Sequence, residues 1–504
     1  LAGDNSDESS DASGERETII NICEMAKRYR NKVLTIICFP RECKKIKAQF
    51  YENLGTMSFI EVREDFVDGK SAKEFLTSLA KKRRVRTDKK LFLEVKDDHS
   101  YLAPELVATT AAAPAPEKKL TFQMKKNLPV ITIKTKDGAQ IRDKKTYIKG
   151  TVTISDPDGL YWDTPELVLE MTENGIRGRG NTTWDMPKKP YKLKFDDKVS
   201  IFDLPADKEW VLLANYTDKT SLRNETAFDL GRMSNLEYTN RTHFVDVVLN
   251  GVYNGTYQLG EQLKISKNRV NVGDDGFLLE IDSKAEAEDI TFKVQHIGYP
   301  INIKDPEVEI NSEAYNYVVR YLATVDSVLF CDNFKDKENG YSKYIDVNSF
   351  VDWYLINEIG KNCDANFFTS CYMNVSREGK LKMGPLWDFD IAFGNINYNA
   401  ECANTAGYWI RNVSWFRRLF QDPNFEQQVR ERFDYFYSRR NDLFNEINAN
   451  AQYLKYSIIE NNYKWNTLYE HTWPNNTIMG SYENEVQTLK TWLDKRFEWL
   501  NQDL

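Results

Sequence analysis

The sequence predicts an α+β fold, a body of two lobes with strands first and helices after, preceded by a small α/β domain. Three observations carry this. Segments between residues 128 and 263 alternate apolar and polar residues with period two, as half-buried strands do. From about residue 312 to the end the apolar spacing becomes helical. Between them and the chain start lies "APELVATTAAAPAPEK" (103–118), an Ala/Pro tract without periodicity that reads as a linker. At 504 residues the chain is too long for a single core.

Taken in order, residues 1–17 are an acidic polar tail. They lack the charged, apolar and cleavage regions of a signal peptide. Residues 18–102 form the expected α/β domain. "TIINICEMAKRYR" has helical spacing, "KVLTIICF" is a continuous β-type run, and "SAKEFLTSLAKKRRVR" reads as a helix whose basic end suits the helix dipole. A strand-rich lobe is expected over 119–311 and a helical lobe over 312–504. In the former, "NGIRGRGNTTWDMPKKPYKLKF" reads as a hairpin, and "THFVDVVLNGVYNGTYQLGEQL" as two strands joined at Asn250-Gly251. "DKTSLRNETAFDLGRMS" reads as a helix capped by Asp218 or Thr220. Four longer helical segments follow, beginning near residues 312, 347, 423 and 481.

Composition excludes some functions. A net charge of −8 argues against a nucleic-acid surface. No apolar run approaches the roughly 18–20 residues that span a bilayer. Seven cysteines without a CxxC pair, and four scattered histidines, disfavour a zinc site or a disulfide framework. General-acid chemistry is therefore expected from carboxylates or lysines.

The stretch "KLKMGPLWDFDIAFGN" places Asp388 and Asp390 one residue apart among apolar neighbours. On a strand the two would share a face. Close carboxylates repel and are costly to bury unpaired, and a hard divalent cation relieves both problems. Asp364 precedes the strand-like "FFTSCYMN", so a hairpin could bring it near Asp388. In phosphoryl transfer one carboxylate positions the hydroxyl and others hold metal against the phosphates. Upstream, Gly178 and Gly180 alternate with Arg177 and Arg179, residue types that suit phosphate, although the same glycines fit a twisted hairpin. Lys192 and Lys194 share one strand face. Trp409, Trp415, Trp465, Trp473, Trp492 and Trp499 read as core packing.

"IRGRGNTTWDMPKKPYKLKF", "KEWVLLANYTDKTSLRNETAFDLG", "FVDVVLNGVYNGTYQLGEQLKISKNRVNV", "EIGKNCDANFFTSCYMN" and "GKLKMGPLWDFDIAFGN" occur in this order. Together with the closing "ENEVQTLKTWLDKRFEWL" they resemble the CotH family of spore-coat and bacterial surface proteins, from about residue 119 to the end. That resemblance implies a two-lobed atypical protein-kinase-like fold. It also implies transfer of phosphate from ATP, with Mg or Mn, to serine or threonine of a protein substrate, often outside the cytoplasm or at the cell surface. By the same resemblance Asp364 is the catalytic acid, Asp388 and Asp390 bind metal, and Lys192 or Lys194, Arg179 and Asn181 face the phosphates. Glu261 would lie near the adenine edge. Ordinary kinases carry Asn five residues after the catalytic acid, where this chain has Thr369, so Asn362 or Asn366 would supply the second metal ligand.

Two rivals remain at this point. Asp-x-Asp also serves metal-dependent glycosyltransferases, which need a nucleotide-binding βαβ unit. A coat or surface binding protein on a catalytically silent scaffold is the other. In the first domain, "LEVKDDHSYLAPELVA" is faintly similar to the end of an SGNH-type esterase. Asp97, Asp98 and His99 have no plausible serine partner, so an accessory or truncated α/β domain, available to bind a partner, is expected there.

Overall fold

The computed structural model describes residues 128–156, 158–162 and 166–504, with the backbone of 35–38 and 60–63. The chain divides into two compact units, Leu1–Met124 and Lys125–Leu504. In the first, β1 (Thr35–Cys38) pairs in parallel with β2 (Ile60–Arg63). The acidic tail, the two early helices, the linker and the Asp97–His99 cluster lie outside the described residues.

In the second unit seven strands close into a barrel. They are β3 (Val130–Thr135), β4 (Ile148–Ser155), β5 (Glu166–Gly178), β6 (Tyr191–Val199), β7 (Asp207–Leu213), β8 (Thr242–Leu249) and β9 (Val252–Glu261). All neighbours are antiparallel except β3 and β8, whose parallel pairing closes the ring. Alternation does the sorting: Ile131 and Ile133, Val152 and Ile154, Leu193 and Phe195, Trp210 and Leu212 all fill the interior. Asn250 and Gly251 both have positive φ, 49° and 79°, as a two-residue hairpin requires.

The two-lobed kinase-like arrangement expected from the sequence is overturned. The strand-rich half is a closed barrel, and the remainder is not a helical lobe. A second sheet takes β10 (Phe277–Ile281), β11 (Thr291–Phe292) and β12 (Ile301–Asp305) from before residue 312, and β13 (Cys371–Val375) and β14 (Lys382–Met383) from after it. β10 sits between β12 and β13, so no boundary falls at 312. The reason is non-local. Period-two patterning shows that segments are strands, but barrel closure and the β10–β13 pairing join residues far apart in sequence.

Nine α-helices occur among the described residues: α1 (Thr182–Asp185), α2 (Arg223–Arg232), α3 (Glu313–Phe330), α4 (Val347–Gly360), α5 (Ala400–Ala403), α6 (Ser414–Leu419), α7 (Pro423–Ser438), α8 (Arg440–Trp465) and α9 (Tyr482–Asp503). The segment from 423 onward, expected as one helix, breaks at Arg439 into α7 and α8. None is long and apolar enough to cross a membrane.

Two elements position the site. Strand β7 is buried on both faces: Trp210 and Leu212 point into the barrel, while Val211 and Leu213 join the larger core with Leu222 and Phe228. Helix α2 is thereby seated against the barrel, fixing the 214–222 loop. Helix α4 is buried almost all round, including Phe350, Trp353, Tyr354, Leu355, Ile356 and Ile359. At about 1.5–3 kcal/mol for each such side chain, α4 is held rigidly, and so is the turn that follows it.

Candidate active site

Helix α4 ends at Lys361, a non-glycine residue in the left-handed region (φ 40°), whose ammonium donates to the carbonyls of Glu401 and Ala406. The chain then turns through Cys363–Ala365, carrying Asp364. The Asp364 carbonyl accepts from the Phe368 and Thr369 amides at 3.2 and 3.3 Å, while its carboxylate accepts no hydrogen bond among the described residues. Burial first, then the charge of Asp388, pushes the Asp364 carboxyl up to about 7.

Asp388 and Asp390 do not lie on a strand. β14 stops at Met383, and Asp388 has φ 66°, which breaks the alternation that would align the two side chains. They are held separately instead. Ser370 Oγ donates to Asp388 Oδ2 at 3.1 Å, and Thr217 Oγ1 donates to Asp390 Oδ2 at 2.8 Å. Asn224 Oδ1 accepts from the Phe389 amide at 2.8 Å, tying the segment between them to α2. Burial raises both carboxyls. For Asp390 the charge of Asp388 adds to it, and the group is pushed up to about 7. Arg179 and Ser370 oppose the rise at Asp388.

Arg179, Thr183, Leu213, Asn215, Phe228, Trp387, Asp388 and Asp390 line one cleft of about 380 Å³, open solvent included. The Arg179 guanidinium lies over the Trp387 ring at 5.3 Å and makes no hydrogen bond or ion pair among the described residues. An unsatisfied guanidinium beside an apolar wall is a ready anion contact. A larger surface cavity, about 590 Å³ and lined by Asn235, Tyr238, Ser349, Asn374 and Lys382, contains none of the predicted acids.

The donor set fits a divalent cation. Asn362 Nδ2 donates to the Asp388 carbonyl and to Asn357 Oδ1, both at 3.3 Å. Asn357 Nδ2 is committed to the Trp353 carbonyl at 2.9 Å, so its oxygen must face Asn362. Asn362 is therefore oriented with its own Oδ1 away from these acceptors, buried and without a donor. Asn366 Oδ1 is likewise buried and unpartnered. Two repelling carboxylates plus orphaned amide oxygens are what a hard cation would satisfy. Among the described residues no three His, Cys, Asp or Glu side chains converge as a complete cage. An Mg²⁺ site completed by waters and substrate phosphates needs only one or two carboxylates.

Other predicted residues fall elsewhere. Thr369 Oγ1 donates to Asp282 Oδ1 at 3.2 Å. Lys192 pairs with Glu209 at 2.7 Å, and Lys194 lies on the same outer face of β6. Asn181 is exposed, its Oδ1 3.4 Å from the Lys144 ammonium. Glu261 is fully buried, clasped by Arg241 at 2.8 Å, with the Tyr238 hydroxyl at 3.1 Å and Arg269 at 3.6 Å. None of Thr369, Lys192, Lys194, Asn181 and Glu261 lines the Arg179 cleft. The glycines have packing reasons: a Cβ at Gly178 would meet the Trp184 ring at 2.3 Å, and Gly180 has φ 83°. Trp415 is buried, whereas Trp473 is 45% exposed and stacks on Tyr398 at 5.6 Å. Sequence reasoning missed Thr217, Ser370, Asn224 and Trp387 as parts of the site; only "ANYTDKT", polar directly after a buried strand, hinted at the first.

The barrel seats an acid-lined cleft in which the Arg179 guanidinium has no bonded partner among the described residues. The chain matches the family described as CotH kinase protein over residues 176–500, more than half its length, and it belongs to that family. No curated protein matches the chain.

Proposed function

We propose that this protein transfers the γ-phosphoryl group of ATP to serine or threonine hydroxyls of a protein substrate, with Mg²⁺ or Mn²⁺. The observation that carries the reading is the convergence of Asp388, Asp390 and a partnerless Arg179 on one cleft, with the Asp364 carboxylate close enough to feel Asp388. A bound divalent ion supplies neutralisation of the triphosphate charge. Asp388, Asp390 and the Asn362 amide oxygen would hold it. Arg179 binds phosphate oxygens, and Leu213, Ala214 and Phe228 offer an apolar wall to the rest of the nucleotide. Asp364 orients the substrate hydroxyl and takes its proton as the new P–O bond forms.

Wild type, Asp364→Asn and Asp388→Ala should be compared for γ-phosphate transfer to casein-like proteins and to the protein itself. Undiminished transfer in both variants rules out the assigned roles. A second reading, a coat or cell-surface binding protein without catalysis, is favoured by the lack of a self-sufficient metal cage among the described residues. Nucleotide binding without transfer would support it. A glycosyltransferase would require a βαβ unit, and the strands around the cleft are those of an antiparallel-dominated barrel.

A further inference from the structure

The segment joining α8 to α9 braces the loop that carries Thr217. The buried Lys219 donates its ammonium to the Thr467 and Glu470 carbonyls, the latter at 2.7 Å. The Tyr482 hydroxyl donates to the Thr220 carbonyl at 3.1 Å. Between these two ties, the Asn475 side-chain amide donates to the Thr217 carbonyl and to Asn395 Oδ1, the second at 2.9 Å. Asn475 is only 1% exposed, so no water competes for these bonds.

Asn475 completes a closed set of bonds around Asp390. Asn395 Nδ2 donates to the Asp390 carbonyl at 2.7 Å and to the Thr217 carbonyl at 2.9 Å. Thr217 Oγ1 in turn holds Asp390 Oδ2 at 2.8 Å. The backbone of Asp390 is thus referenced to Asn395 and its carboxylate to Thr217, and Asn475 locks those two together. Chemistry fixes the amide orientations. Two carbonyl acceptors require Asn395 to face them with its nitrogen, so its oxygen faces Asn475, whose nitrogen must point back. The arrangement has a cost, because Asn475 Oδ1 is buried with no donor among the described residues. An apolar side chain of the same shape would pack there without it. What asparagine adds is the pair of donated bonds.

We propose that Asn475 is a positioning residue for the metal acid Asp390, acting through Thr217 and Asn395. This rests on the reading above in which Asp390 holds a divalent cation. Asp390 Oδ2 is committed to Thr217, so the direction left to Oδ1 depends on where Thr217 and the Asp390 backbone sit. A carboxylate held at a fixed angle loses little freedom when an ion arrives, whereas one that swings must first be ordered. Sequence inspection gave no sign of Asn475, because it lies in "TWPNNTIMG", far along the chain from the acids and in a stretch without regular pattern.

The test is Mn²⁺ binding to the full chain, read from loss of the free-ion electron paramagnetic resonance signal. Wild type, Asn475→Leu, Asn475→Ala and Tyr482→Phe are compared, with melting temperatures measured in parallel. Both Asn475 variants should bind Mn²⁺ about 10-fold more weakly, the lower range for losing a residue that orients a metal ligand. Tyr482→Phe removes a bond of the same brace that does not reach Asp390, so it should lose stability yet keep wild-type Mn²⁺ affinity. In transfer from ATP to casein, the Mn²⁺ concentration giving half-maximal rate should rise in step with the binding constant. The kcat at saturating Mn²⁺ should stay within about threefold of wild type, since the reacting groups are untouched. Wild-type Mn²⁺ affinity in folded Asn475 variants overturns the role of Asn475 alone. An equal loss of affinity in Tyr482→Phe, or failure of both Asn475 variants to fold, makes Asn475 a general support of the fold and also overturns it. A folded wild type that binds no Mn²⁺ overturns both this proposal and the metal reading beneath it.

Discussion

Arg179 exerts the strongest electrostatic pull against the burial that raises the Asp388 carboxyl, yet the two make no ion pair among the described residues. The guanidinium stacks instead on Trp387, the residue before Asp388. A cation parked beside an acid, with its donors unused, is poised for an outside anion. Arg179→Ala should therefore weaken ATP binding by about 10–100-fold, the equivalent of roughly 1.5–3 kcal/mol for hydrogen bonds to a charged group. Arg179→Lys should recover only part of this, because lysine restores charge without the fork. Calorimetric titration with a nonhydrolysable ATP analogue checks both.

Asp364 sets an acid limb in the pH profile. Its carboxyl is pushed up to about 7 by burial and by Asp388. A base must be deprotonated to accept the hydroxyl proton, so kcat/KM, which reports the free enzyme, should rise with pH and level off above about 7. Bound cation favours the ionised form, so the corresponding limb in kcat should lie lower. Parallel profiles of the two constants from pH 5 to 9 test this. A flat kcat/KM across that range contradicts the assignment.

Metal and stability are linked through Asp390. Its folded value, about 7, exceeds that of a free carboxyl, so between the two values the metal-free native state binds more protons than the unfolded chain. Its contribution to stability therefore falls as pH rises from about 4 to 7. Divalent cation binds the ionised form, so Mg²⁺ should raise the melting temperature more at pH 8 than at pH 5.5. Asp390→Asn should remove most of that rise. It should also lift the metal-free melting temperature at pH 8 by about 2 °C, since the Thr217 hydroxyl keeps an acceptor while the repulsion with Asp388 disappears. Differential scanning calorimetry with and without EDTA measures it.

Glu261 separates fold from ligand binding. Its carboxylate is fully buried and faces Arg241 and Arg269. Glu261→Gln should cost about 1.5–3 kcal/mol of stability by weakening its hydrogen bonds to guanidinium, since Arg241 is partly solvated and the buried Arg269 keeps Asp207 at 3.7 Å. Nucleotide affinity of the folded fraction should be unchanged, because Glu261 does not line the Arg179 cleft. Urea unfolding and nucleotide titration on the same samples separate the two effects.

What could be read in the residues follows from range. The β8–β9 hairpin was visible because its Asn250-Gly251 turn and both alternating strands are local. The strand positions of β3, β4, β6 and β7, and the helices beginning near 313, 347 and 482, were visible for the same reason. Barrel closure through β3 and β8 was not, nor was the placing of β13 against β10, because each joins distant segments by backbone bonds indifferent to residue type. In the site, the acids were visible as anomalies among apolar neighbours. Their geometry was misread: positive φ at Asp388 cannot be inferred from an aspartate, and it replaced a shared strand face with two separate anchors, Ser370 and Thr217. Glu261 looked available only because its partners Arg241 and Arg269 lie twenty residues before it and eight after.

The most direct measurement is transfer of labelled γ-phosphate from ATP to a serine-containing protein in Mg²⁺, comparing wild type with Asp364→Asn and Asp388→Ala at matched folded concentration. The account expects label on hydroxyl residues with wild type and losses of at least about 100-fold in each variant, as when a group essential to the step is removed. Equal labelling by all three, or a folded wild type that neither binds ATP nor transfers phosphate, would contradict it.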